Sequence, residues 1–138
     1  MIQSGRASLV VHSTTTDPAE VSRILGLQPT RVNERGSVRR SGRILDHNTW
    51  RFDVDEMSNT EDDRTGLRSL TELLARVRVA AGRVGLLPPD CEARIWWHGS
   101  SDSSQGGFVI PVELASDVAA LGVAVHATVY LDQPADEL

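Results

Sequence analysis

Asp17-Pro18-Ala19-Glu20-Val21-Ser22-Arg23-Ile24-Leu25-Gly26-Leu27-Gln28-Pro29-Thr30 reads as a helix with both of its ends written into the sequence. Asp17 offers a side-chain acceptor to the free amides of a first turn. Pro18 suits the first helical position, where a missing N–H costs nothing, and Glu20 can bond back to the cap. Val21, Ile24 and Leu25 recur at helical spacing and form one apolar stripe. Gly26 can take the left-handed conformation that closes a helix, and Pro29 prevents it from resuming.

Working outward, residues 1–7 look like a frayed start, and residues 8–12 form a short strand with Leu9 and Val11 on one face and Val10 and His12 on the other. Residues 31–48 have no clean period, and Gly36, Ser41, Gly42 and Asn48 mark turns, so this stretch is an exposed excursion with room for a short ribbon. Trp50, Phe52 and Val54 then alternate with Thr49, Arg51 and Asp53, the pattern of a half-buried strand. The acidic residues 55–63 read as a loop placed where the dipole of the next helix favours negative charge.

From Thr65, the residues Leu67, Leu70, Leu73, Leu74, Val77 and Ala81 sit at helical spacing and predict the longest helix, stopped by Pro88-Pro89. A strand follows over residues 93–98, with Ile95 and Trp97 on one face and Arg94, Trp96 and His98 on the other. Residues 99–107 are Ser- and Gly-rich and read as a mobile hairpin loop. Phe108, Ile110 and Val112 predict a strand, with Pro111 at its edge or end. A short helix over 113–121 ends at Gly122, and residues 123–131 alternate as the clearest strand in the chain. The final residues, with Asp132, Asp136 and Glu137, look like a solvated tail.

Residues 8–27 and 107–123 echo one another as strand, acid-containing turn, short helix and Leu-Gly. Two such units joined through further strands predict an α+β domain: a mainly antiparallel sheet of about five strands, helices packed on one face, in a ferredoxin-like, split βαβ arrangement. The chain of 138 residues is the length of one domain, 1–138. No apolar run reaches the ~18 residues of a membrane span, and no charged-then-apolar leader opens the sequence, so a cytoplasmic protein is expected. The single Cys91 excludes an internal disulfide framework.

Charge is uneven. Arg31, Arg35, Arg39, Arg40 and Arg43 outweigh Glu34 by four, while the whole chain carries −5, and the acids Asp53, Asp55, Glu56, Glu61, Asp62 and Asp63 follow with no base among them. Every basic side chain is arginine, the residue whose planar fork fits carboxylates and phosphates.

If Val11, Phe52, Ile95 and Val125 face the core, alternation places His12, Arg51, Arg94, Trp96, His98, His126 and Tyr130 on the other side of the sheet. That face suits an anionic or planar ligand, or a protein interface, where Trp, Tyr and Arg are typical anchors. The bland alternative is a helix or loop lying over it. His47 reads as an exposed loop residue. Three histidines on different strands, in a pairing the sequence does not fix, give no metal site and no cofactor. The arginine segment, Arg31, Arg35, Arg39, Arg40 and Arg43, is the second candidate surface. Nucleic acid is a weaker partner for it because the chain is acidic and carries no RNA-binding motif. No nucleophile elbow, phosphate loop or His-Glu-x-x-His motif points to an enzyme.

The element Leu25-Gly26-Leu27-Gln28-Pro29-Thr30, with Gly36, Trp50 and the ending from Leu121-Gly122 through Tyr130, resembles the bacterial family catalogued as domain of unknown function 4279. Where members commonly carry an acid soon after the glycine, this chain has Ser37, so no role is carried to that position. The resemblance implies an α+β domain of no established activity and brings no catalytic residues. Members resemble components of bacterial toxin and immunity gene clusters. The expectation is therefore a binding domain whose partner is a protein, a toxin or a second copy of the chain. The alternative is a small anion or nucleic acid held by the arginine segment and the aromatic sheet face.

Overall fold

The capped segment folds as its residues dictate. A computed structural model describes residues 1–63 and 65–132, and in it α1 (Pro18–Leu25) begins with the Asp17 carboxylate accepting from the Ala19 amide at 2.9 Å. It ends on Gly26 at φ 70°, whose N–H donates to the Ser22 carbonyl. Glu20 does not return to the cap; its carboxylate pairs with Arg23 one turn on, because a cation at that spacing is the nearer partner.

Around α1 the chain runs β1 (Ile2–Ser13), β2 (Arg31–Asn33), β3 (Asn48–Ser58), α2 (Arg68–Arg76), β4 (Glu92–Ser101), α3 (Val112–Leu121) and β5 (Ala124–Tyr130). The sheet order is β2-β3-β1-β4-β5. The first four strands in that order are antiparallel neighbours, and β5 lies parallel to β4. The fold is α+β with a five-stranded mixed sheet. The parallel pair arises because α3 carries the chain from the end of β4 back to the start of β5, a crossover that a two-residue hairpin cannot make.

Leu9, Val11, Trp50, Val54, Ile95 and Trp97 project from one face into a contiguous core with Val21 and Leu25 of α1, Leu70, Leu73 and Leu74 of α2, and Leu114 and Leu121 of α3. Burying each large aliphatic side chain is worth about 1.5–3 kcal/mol, so this layer supplies most of the driving force. Two tryptophans fix the layers in register. The Trp50 indole N–H donates to Ser22 Oγ of α1 at 3.0 Å, and that of Trp97 to Ser69 Oγ of α2 at 3.1 Å.

Several expectations are corrected. Residues 1–7 are not frayed: β1 begins at Ile2, which is 1% exposed and packs against Gly66, where an added Cβ would lie 3.0 Å from Ile2 Cβ. Residues 55–58 belong to β3 rather than to a loop, since Met57 and Ser58 pair with Gly5 and Ser4 of β1 across a register shift at Asp55 and Glu56, whose side chains stay in solvent. α2 spans 9 residues and α3 spans 10, because the stretch after Arg76 tightens into 3-10 turns at Arg78–Ala80 and Val84–Leu86.

Residues 108–111 form no strand, and residues 102–107 connect to a helix rather than close a hairpin. Pro111 has no amide to donate, the Val109 amide bonds to the Thr65 carbonyl, and Phe108 packs on Trp97 with ring centroids 5.2 Å apart. The echo of residues 8–27 is thus helical only. Of the expected acidic tail, Asp132 donates its amide to the Ser103 carbonyl, while Asp136 and Glu137 lie outside the described residues. Among the described residues no helix is long and apolar enough to cross a membrane.

Candidate anion-binding cleft

Alternation along three strands builds the candidate site. His12 and Val10 of β1, Arg51 and Thr49 of β3, and Trp96 and His98 of β4 share the sheet face opposite the helices; Val10 faces both Arg51 and Arg94 across the ladders. The connection from β2 to β3 then folds back over this face. A bridge between Val38 and Ile44 and a reciprocal pair of backbone bonds between Gly36 or Ser37 and Leu45 shape it as a hairpin. Leu45, 9% exposed, anchors it.

Between hairpin and sheet lies a cleft of about 340 Å³, lined by Arg39, Arg43 and His47 of the hairpin and by His12, Arg51, Trp96 and His98 of the sheet, over an apolar floor of Val10 and Leu45. Three arginines and three histidines reach it, and no carboxylate lines it. The His12 and His47 rings lie 4.5 Å apart, tilted by 30°. His47 is not an exposed loop residue but is half-buried there, with Nδ1 2.5 Å from Asp46 Oδ1.

The cations differ in how they are held. Arg51 is bound from below: its Nε and Nη2 lie 3.3 and 3.2 Å from Asp53 Oδ1, and Ser8 Oγ donates to the same oxygen at 2.5 Å. Burial pushes the Asp53 carboxyl up, but bonds from Ser8 and Thr30 and the Arg51 charge outweigh it and leave the group below its ordinary value. Arg94 is paired with Glu92. Among the described residues, Arg39 and Arg43 enter no ion pair, so their charge is available to a ligand.

Burial, then the charges of His47, Arg94 and Arg51, lowers the pKa of His12; burial, then Arg6 and Arg51, lowers that of His98. Both rings are held towards the neutral form, by burial first and by the neighbouring positive charges second. His98 Nδ1 is buried with no hydrogen-bond partner among the described residues.

The remaining expected residues divide. Trp96, His98, His126 and Tyr130 form an aromatic row: His126 lies 4.8 Å from Trp96, and Tyr130 lies 6.2 Å from His98. His126 and Tyr130 flank the cleft without lining it. Arg31 and Arg40 line a separate shallow groove with Arg39. Arg35 is structural, its amide donating to Asn48 Oδ1 at 2.7 Å and its Nη1 to the Thr14 carbonyl at 3.3 Å. Among the described residues no group of three His, Cys, Asp or Glu side chains is arranged to hold a metal ion.

The chain belongs to the family described as domain of unknown function (DUF4279), whose model matches residues 3–132. No curated protein and no solved structure matches it.

Proposed function

We propose that this member of the DUF4279 family is a binding domain that takes a compact anionic ligand, phosphate- or carboxylate-bearing, into the cleft between the arginine hairpin and the sheet. The observation that carries the reading is the lining: Arg39 and Arg43, with no ion-pair partner among the described residues, converge with Arg51 on a concave space to which no acid contributes. Guanidinium groups bind oxyanions with bidentate, charge-assisted hydrogen bonds, and Trp96 offers a planar wall. A volume of about 340 Å³ is at the lower end of small-molecule sites, which suits one compact ligand rather than a strand of nucleic acid. No step of covalent chemistry is assigned to the site. The test is thermal denaturation at low ionic strength with sulfate, pyrophosphate, nucleoside monophosphates and dicarboxylates. A ligand that binds only the folded state stabilises it by about 2.7 kcal/mol at a hundred times its dissociation constant. Failure of every anion to stabilise the protein rejects the reading.

A second reading, a protein partner in the form of another copy of the chain, is favoured by a different observation. Val109, Ile110 and Val112 are 59%, 58% and 81% exposed in one continuous apolar run. Sedimentation of the wild-type chain and of Ile110→Glu tests it. A monomer at all concentrations removes this reading and leaves the cleft unaffected.

A further inference from the structure

We infer that the cleft takes up its anion together with a proton, carried by His12. The inference rests on the anion-binding reading and adds the residue that sets its pH dependence.

The geometry confines His12. On its own strand Val10 precedes it on the same face; β3 presents Thr49 opposite and Arg51 diagonally; β4 presents Glu92 opposite and Arg94 diagonally, these two paired with each other. From the hairpin, His47 covers the ring at 4.5 Å, Asp46 holds His47, and Arg39 and Arg43 line the same space. The two carboxylates nearby, Glu92 and Asp46, are each engaged by another cation or ring. A proton on His12 therefore meets Arg51 and Arg94 on the two flanking strands and no acid of its own.

An oxyanion seated among Arg39, Arg43 and Arg51 reverses that balance. It offsets the positive charges that add to burial in disfavouring the imidazolium, and it offers an acceptor for the ring N–H in place of lost water, so the ring gains a proton as the ligand arrives. Linkage requires the converse: affinity rises as pH falls. His47 does not compete for the role on equal terms. Its Nδ1 already faces Asp46, whose carboxyl that contact holds below its ordinary value, so that ring nitrogen is engaged with or without a ligand.

Sulfate is the probe, because its own charge does not change across the range of interest. Its affinity for the full chain, measured by calorimetry between about pH 8 and about pH 5.5, is expected to rise by up to about tenfold per unit of pH, the limit for one proton. His12→Gln is expected to bind sulfate with no such slope, and His126→Gln, outside the cleft lining, to keep it. In wild-type protein, the ring proton resonances of His12 are expected to titrate at a higher midpoint with sulfate present, a readout that stands if His12→Gln does not fold. Sulfate affinity that is independent of pH overturns the inference and leaves anion binding intact. A slope lost in His47→Gln or His98→Gln but retained in His12→Gln overturns it as well. No sulfate binding at any pH rejects the anion site for this probe, and the proton coupling with it.

Discussion

The rings of His12 and His47, 4.5 Å apart, join the central strand of the sheet to the hairpin that covers it. Through this contact and the burial of Leu45, a segment rich in arginine and poor in apolar residues is held over the open face, and its charge becomes part of a cleft.

Arg39 and Arg43 are exposed and enter no ion pair among the described residues, so replacing either with alanine leaves the fold unchanged. Each substitution is expected to weaken sulfate binding about tenfold or more, since a hydrogen bond between charged groups is worth about 1.5–3 kcal/mol. Calorimetry on the two single variants and the double variant checks this, and Arg40→Ala, outside the cleft, serves as the control expected to bind normally.

Ser69→Ala removes the acceptor of the Trp97 indole N–H, a group buried at 0% exposure. The orphaned donor is expected to cost about 1–3 kcal/mol in a urea denaturation. Gly99→Ala acts on the same ring from the other side, because an added Cβ would lie 2.3 Å from Trp97 Cη2; overpacking of that kind costs about 1–3 kcal/mol.

Asp90 accepts from the amides of Thr15 and Thr16 at 2.9 and 2.8 Å and from the Thr16 hydroxyl at 2.6 Å, tying the start of β4 to the turn before α1. The Thr16 hydroxyl and the amides hold its carboxyl far below the ordinary 3.8. A carboxyl depressed on folding stabilises the protein above the unfolded value and loses that contribution as pH falls below it. Acid unfolding of Asp90→Asn is therefore expected to be less steep below about pH 4 than that of wild type, from a lower starting stability.

His12 and His98 both have pKa values below 6.5 in the folded protein, so the unfolded chain binds more protons between the folded and unfolded values. Stability is expected to fall as pH drops through about 6.5, and to fall less in the double variant His12→Gln/His98→Gln. Denaturation midpoints in a buffer free of multivalent anions measure this. Added sulfate is expected to offset the loss in wild type, because it favours the protonated cleft.

The open face was legible in the sequence because strand alternation has a period of two: once Val11, Ile95 and Val125 are assigned inward, Trp96, His98 and His126 must face out. The capped helix was legible for the same local reason, since Asp17, Pro18 and Gly26 act within one turn. What escaped is non-local. Nothing in residues 34–47 announces that Leu45 tucks under the hairpin or that His47 meets His12, because both depend on where β1 lies relative to β3. Residues 2–7 look irregular until Ile2 finds Gly66. Phe108, Ile110 and Val112 are spaced like one face of a strand but have no ladder to join, the Val109 amide being taken by Thr65.

Backbone amide mapping reads anion binding in the cleft residue by residue. Sulfate is titrated into isotopically labelled protein at low ionic strength near pH 6, and the amide and indole resonances are followed. Saturable shifts are expected at the cleft residues His12, Arg39, Arg43, His47, Arg51 and His98 and at the Trp96 indole, with the buried Trp50 and Trp97 indoles unmoved. Shifts that do not saturate, or that centre on Arg31, Arg40 or the Phe108–Val112 segment, would contradict anion binding in the cleft.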